Sequence, residues 1–418
     1  MGKSPIWLAA AAGLLVSGCS KSGPAAGGKT VVRFLAGPDV GGGAKEIIAK
    51  FESLNPGIKV EMVEGPAATN TREDMYSTSF MGGESTYDLI YMDVAWLPKF
   101  ASQKWLRPLD DKFTPELQKD FLPGDIAGSK FDGKVYRMPV QSDGGLLYYR
   151  KDLLEKAGIA PPRTWAELLS AAKKLQKPPE LWGFVFQGKQ YEGLVCDYLE
   201  LAWGNGGTLM DEKGGVHIDE PAAIEALGWL VDAVRKDKIS PEGELTFAEE
   251  EGRHMFQEGK AVFMRNWPYA WNLLQEEGSP VKGKVGIMPM VHGAGRSSAA
   301  TLGGWGYGIS AFSKQPDAAW KFVEFAASPE GQKIAYMRGG IIPTRKALFN
   351  DPDIVAKSPH FKELLEVLSG ARPRPVHPAW ARISDILQVH LSAALSGQKG
   401  PAEALKAAGD EIRAALAR

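Results

Sequence analysis

The sequence predicts an α/β chain of about two to three domains built on a mostly parallel sheet. Three observations lead there. The chain has 418 residues, more than one compact core holds. It is 44% hydrophobic and 24% charged, the balance of a globular protein. Residues 30–92 alternate strand, helix, strand, helix, strand, the pattern of a sheet covered by helices.

The N-terminus reads as a targeting segment. Residues 1–18 fit a signal peptide: Lys3 gives a basic start, and the apolar stretch 6–16 is too short to span a bilayer. Val16-Ser17-Gly18-Cys19 puts small residues directly before a cysteine, the pattern for cleavage and acylation at Cys19. An export signal with an incidental cysteine is the alternative. Residues 19–29 then read as the lipidated cysteine and a flexible tether rich in Gly, Ala and Ser. If Cys19 is acylated, Cys196 is the one remaining thiol and no intrachain disulfide forms. No later stretch reaches the length of a membrane span.

In the body, the β-rich run 30–36 leads into the loop Gly-Pro-Asp39-Val-Gly-Gly-Gly and a helix over 44–54, stopped by Asn55-Pro56-Gly57. A strand at 58–63, a helix at 71–81 and a strand at 87–92 complete the first unit. Ligands of such sheets sit beyond the carboxyl ends of strands, so the loops 37–43 and 93–96 are where a site is expected. The glycine loop suits either an anion cradle or a plain entry into a helix. Extended runs at 134–139 and 145–149 bracket Gln141-Ser-Asp-Gly-Gly, which reads as a crossing between lobes. Helices follow at 164–175, 194–203, 221–236 and 249–258, and Thr164 with Glu167 forms a capping-box pattern. Short strands are expected at 261–264 and 285–288, and the Gly-rich run 300–309 reads as a second crossing. Helices at 318–327 and 330–336 precede a helical C-terminal part ending in the amphipathic 402–416.

The chemistry excludes several functions. Lys plus Arg number 49 against 50 Asp plus Glu, so nothing draws the chain to nucleic acid. The six His show no metal-pair spacing, and neither a nucleophile turn nor a phosphate-binding loop occurs. No metal, cofactor or catalytic residue is expected. The positive signal is aromatic. Of the 12 Trp, about three or four are expected to face a ligand and the rest to pack in cores. Asn266-Trp267-Pro268-Tyr269-Ala270-Trp271 gathers three aromatics around a proline, and Gly303-Gly304-Trp305 places a Trp beside open backbone. Asp93 ends a strand and Asp143 lies in the first crossing. Flat aromatic faces beside charged groups suit a sugar, whose C–H face stacks while its hydroxyls pair. Core packing explains either Trp equally well, and a cap or turn explains either Asp.

At these residues the chain resembles ABC-transporter extracellular solute-binding proteins of the maltose-binding class, and within it trehalose/maltose-binding proteins. The stretches that carry this are YMDVAWL at 91–97, GGLLYYRKDL at 144–153, QGKQYEGLVCD at 187–197, RNWPYAW at 265–271 and SAATLGGW at 298–305. The resemblance implies a two-lobed periplasmic-binding-protein fold with a hinge and an interlobe ligand cleft. The lobes would be 30–140 with 305–342 and 145–302 with 346–418, crossing near 141–144, 303–304 and 343–345. It implies a monomer that captures a sugar, closes around it and delivers it to permease subunits, touching the membrane only through the lipid anchor. Arg72 and Asp93 match first-lobe sugar contacts, Asp143 a hinge-side carboxylate, and Trp267 and Tyr269 an aromatic wall. Gly304 and Trp305 match the hinge-side wall, and Arg374 a cationic hydroxyl donor. Two positions depart. The first loop offers only Asp39 where the family often has an acid nearer the helix start, and Gln141 stands where relatives can have Tyr. A carbohydrate-cleaving enzyme using Asp93 and Asp143, a binder of another solute class, and a surface adhesin using the same cleft are the competing readings.

Overall fold

A computed structural model describes residues 28–83, 86–211 and 214–417. The signal peptide and Cys19 lie outside them. The first lobe opens with β1 (Thr30–Ala36), α1 (Gly43–Leu54), β2 (Ile58–Glu64), α2 (Thr69–Met81) and β3 (Leu89–Asp93). Strand β4 (Met138–Gly144) leads through Gly145 to β5 (Leu146–Arg150). The second lobe continues with α3 (Trp165–Leu175), β6 (Trp182–Val185), α4 (Glu192–Gly204), α5 (Pro221–Arg235), α6 (Glu249–Gln257), β7 (Ala261–Asn266) and β8 (Val285–Pro289). Strand β9 (Leu302–Ile309) returns to the first lobe, followed by α7 (Pro316–Ala326) and α8 (Pro329–Gly339). Helices α9 (Phe361–Gly370), α10 (Trp380–Leu395) and α11 (Pro401–Leu416) close the chain. The expected capping box starts α3: Glu167 N donates to Thr164 Oγ1 at 3.3 Å and Thr164 N to Glu167 Oε2 at 3.0 Å.

The expected mostly parallel sheet is corrected. Only β1 and β2 pair in parallel in the first lobe, whereas β9 lies antiparallel between β3 and β4. The reason is topological: β9 arrives from the far lobe, so it runs against the strands it joins. In the second lobe the order is β8-β5-β7-β6, and only β6 and β7 are parallel. The crossing expected at 141–144 falls within strand β4. Strand β4 continues through Asp143 because Gly303 and Gly304 of β9 pair with it there.

Each lobe buries its own core. Val32, Phe34, Phe51, Leu89, Tyr307 and Phe322 fill the first, with an aromatic annex of Tyr76, Phe80, Trp96 and Phe100. Leu147, Tyr198, Leu227, Leu387 and Ile412 belong to the second. A third cluster joins Leu122, Tyr336 and Ile342 to Leu146, Val367 and Leu368, drawing on segments from both sides of the crossings. There β4, β9 and residues 342–344 run together: Ser142 N donates to Ile342 O at 3.0 Å and Thr344 Oγ1 to Pro139 O at 3.0 Å. Three adjacent strands of chain bend together more easily than three separated ones. Among the described residues no helix is long and apolar enough to cross a membrane.

Candidate functional site

A cavity of about 320 Å³ lies between the lobes, at the small end of the roughly 300–1,000 Å³ usual for ligand sites. All ten residues singled out above line it: Asp39, Arg72, Asp93, Gln141, Asp143, Trp267, Tyr269, Gly304, Trp305 and Arg374. They come from the loop after β1, from α2, the end of β3, the residues just after β7, the paired strands β4 and β9, and the loop after α9.

On the first-lobe side, Asp93 caps the short turn after β3, accepting from Ala95 N at 2.8 Å, and receives Arg374 Nη2 at 2.6 Å. Arg374 Nη1 donates to Glu192 Oε1 at 2.8 Å, so one guanidinium spans carboxylates from two lobes. Burial by itself lowers the Arg374 pKa, but the surrounding Asp93 and Glu192 carboxylates raise it well above the usual range. Glu192 is held further by Trp380 Nε1 at 3.1 Å and by Ser384 Oγ, while burial pushes its own pKa up. Arg72 donates through Nη1 to Pro66 O at 2.5 Å and Ala67 O at 2.7 Å and lies 4.8 Å over the Trp305 ring. Burial lowers its pKa.

The hinge-side wall is a relay. Tyr91 Oη donates to Gln141 Oε1 at 3.0 Å, and Gln141 Nε2 donates to Asp143 Oδ2 at 2.6 Å. Burial pushes the Asp143 carboxyl up to about 8, so it carries a proton at neutral pH. Gly304 faces this wall at φ +117°, and a Cβ there would fall 2.6 Å from Gln141 O, so no side chain fits. On the second-lobe side, Trp267 rests 4.0 Å under the Arg265 guanidinium, itself fully buried and paired with Asp197 at 2.9 Å and with Glu200. Tyr269 donates to Glu250 Oε1 at 2.5 Å, which fixes the ring.

Four polar atoms of cavity-lining residues are buried without a protein partner: Thr69 Oγ1, Arg72 Nε, Asp143 Oδ1 and Arg374 Nε. Buried polar groups are nearly always paired, so these four atoms are candidates to pair with a polar ligand.

Three expectations need correction. Asp39 reaches the cavity, but its carboxylate is spent on the start of α1, accepting from Ala44 N and Lys45 N at 3.0 Å each. The glycine loop is therefore no anion cradle, because the chain supplies its own anion there. Among the described residues only Trp267 and Trp305 of the tryptophans line the cavity, fewer than expected: Trp96, Trp165, Trp203, Trp320 and Trp380 are buried in the cores, and Trp271 packs on His360 at 3.9 Å. Trp305 serves both purposes, since Tyr91 stacks on it at 5.1 Å and Trp96 meets it edge-on at 5.3 Å. Sequence reasoning missed Glu192, Glu249, Glu250, Thr69 and Tyr91, all in the lining. Glu192 and Tyr91 stood inside quoted stretches, and their flanking aromatics were the available signal. Among the described residues no cluster of three or more His, Cys, Asp and Glu could hold a metal.

Comparisons with known proteins agree with the two-lobed fold. The family model for bacterial extracellular solute-binding proteins matches residues 37–333. A probable ABC transporter-binding protein of Deinococcus radiodurans is 35% identical over 360 residues, 84% of this chain and 85% of that protein. The maltose-bound MalE3 of T. maritima is 41% identical with a TM-score of 0.89, covering 92% of this chain and 99% of that one. An ABC transporter solute-binding protein of Thermotoga lettingae bound with α-D-tagatose is 26% identical with a TM-score of 0.84, covering 92% and 99%.

Proposed function

The chain belongs to the bacterial extracellular solute-binding proteins, and from that premise we propose that it captures a glucose disaccharide, such as maltose or trehalose, for an ABC importer. The observation that carries the reading is the set of unpaired buried donors and acceptors between aromatic walls. Thr69 Oγ1, Arg72 Nε, Asp143 Oδ1 and Arg374 Nε offer partners to hydroxyls, while Trp267 and Tyr269 offer flat faces to C–H bonds. A sugar that lacks a hydroxyl leaves one of these atoms unpaired, which is how such a pocket discriminates. The maltose bound to MalE3 at 41% identity supports a disaccharide, and the tagatose bound to the Thermotoga lettingae protein marks the wider class.

Of the ten cavity-lining residues named from the sequence, all but Asp39, whose carboxylate is held by the start of α1, are proposed as the sugar contacts. The lobes are proposed as 30–140 with 305–342 and 145–302 with 346–418, hinged near 141–144, 303–304 and 343–345. The protein binds without turnover, acts as a monomer outside the cytoplasm, and is tethered by acylated Cys19. Tethering keeps the loaded protein concentrated near its permease subunits. More than one acyl chain is needed for firm anchoring. Cys19→Ala is expected to release the protein from the membrane fraction in detergent partition, and full retention would remove the anchor.

The deciding experiment is calorimetric titration with maltose, trehalose, sucrose and glucose, with the sugar analysed afterwards. Saturable binding of a disaccharide recovered intact is expected. Trp267→Ala is expected to weaken it by roughly 10–100-fold through loss of the stacking face. Recovery of cleaved sugar would establish the enzymatic alternative instead.

A further inference from the structure

The polar cleft is only part of the cavity. The same cavity continues into the first lobe, where Phe34, Ile47, Tyr307, Ala326, Ala335 and Ile341 line it. Five of these belong to the buried first-lobe core and Ile341 packs against it, and none carries a charge. The recess lies where α1 and α8 meet through small residues: Gly43 contributes no side chain, and a Cβ there would sit at ordinary contact distance, 3.4 Å from Ala335 O and 3.5 Å from Gly339 N. Aromatic rings run from the cleft wall into the recess: Trp305 stacks on Tyr91 at 5.1 Å, Tyr91 lies 5.0 Å from Tyr307, and Tyr307 meets Phe34 edge-on at 5.5 Å. At the boundary the Tyr91 hydroxyl is turned to Gln141, which leaves the polar relay on the cleft side and hydrocarbon beyond.

Apart from the Tyr307 hydroxyl, these side chains offer sugar hydroxyls no partners, and burying the hydroxyls unpaired would oppose binding. An apolar recess of this kind also holds water poorly. Its natural occupant is hydrocarbon attached to whatever the polar cleft grips. We propose that the recess is a subsite for an alkyl or aryl substituent on the glycosidic oxygen, so that the protein accepts apolar glycosides as well as free sugars. The proposal rests on the sugar-binding reading above. Each methylene buried in the recess is expected to tighten binding roughly fourfold.

The test is calorimetric titration of the purified protein with glucose, maltose and the methyl, butyl and phenyl glucosides, each as α- and β-anomers. Ala335→Leu fills the recess from α8. Ala335→Ser adds a hydroxyl at nearly the original volume and keeps the test open if the larger variant folds poorly. The expected result is that one anomeric series tightens from methyl to butyl or phenyl by at least tenfold. That gain is expected to vanish in Ala335→Leu and shrink in Ala335→Ser, with maltose affinity kept within about twofold in Ala335→Ser. If maltose binds but neither series gains, or the gain survives both variants, the subsite is overturned and the sugar reading stands. If no sugar binds at all, both fall.

Discussion

Asp143 shows how much a single residue's role depends on its surroundings. Asp143 is 4% exposed, one carboxyl oxygen accepts from Gln141, and the other is buried without a protein partner. Burial raises its pKa to about 8, with Asp125 and Asp93 nearby pushing the same way and Gln141 and Arg265 opposing. As a proposed sugar contact, the free oxygen would carry a proton below that pH and donate to a sugar hydroxyl; above it the donor is lost and a buried charge appears. Sugar affinity is therefore expected to hold from pH 6 to 7 and to fall as pH rises through about 8. Asp143→Asn, a permanent donor, is expected to bind with little change over pH 6–9. Identical profiles in calorimetry for the two proteins would sink the idea. Stability follows the same sign. The unfolded carboxyl titrates near 3.9, so between about pH 4 and 8 the folded chain holds the extra proton, and this contribution to stability declines across that window. Asp125 and Glu73, each raised to about 7 by burial, act in the same direction. Asp143→Asn is expected to flatten part of the fall in Tm between pH 5 and 8. None of this was legible in the sequence, where Asp143 stood equally well as a turn residue.

At the scale of elements, the helices were legible and the strand pairing was not. Amphipathic spacing marks α1, α3 and α11 locally, with a capping box at α3, because a helix satisfies its own backbone. Strand partners are chosen by the whole chain, so β9 was legible as extended but not as the strand between β3 and β4. The joint between β4 and β5 shows what the chain demands there. A Cβ on Gly145 would fall 1.9 Å from Glu200 Oε1. Glu200 cannot withdraw, since it is fully buried, paired with Arg265, and accepts from Thr301 N at 3.1 Å. Gly145→Ala must then displace either the joint or the ion pair, at a cost of about 1–3 kcal/mol. Thermal melting is expected to show a Tm lower by several degrees, with sugar recovering part of the loss by binding the folded state. A Tm equal to that of the wild type would mean that the joint is softer than this packing implies.

For the whole molecule, the question is what holds the lobes together over a ligand. Polar bridges across the cleft are few. Arg374, which follows α9, reaches Asp93 of β3 and Glu192 of α4, and Glu192 N donates to Asn70 Oδ1 at 3.1 Å. The partners of Arg374 stand 281 and 182 residues away in the chain, so residue type alone could suggest a hydroxyl donor but not a bridge. A ligand closes the lobes only if it favours the closed state over the open one. As a proposed ligand contact, the unpaired Nε of Arg374 would supply that bias, because Asp93 and Glu192 already fix the plane of the guanidinium. Arg374→Ala removes the bridge and leaves two buried carboxylates facing each other, a change of about 2–5 kcal/mol. Affinity is expected to fall by roughly 100-fold or more. Small-angle scattering separates a closure role from a mere contact. The wild type is expected to lose radius of gyration when saturated with sugar, and Arg374→Ala to remain expanded even at concentrations that occupy its weakened site. Compaction of the variant at full occupancy would assign Arg374 to ligand contact alone and leave the hinge crossings to set the closed state.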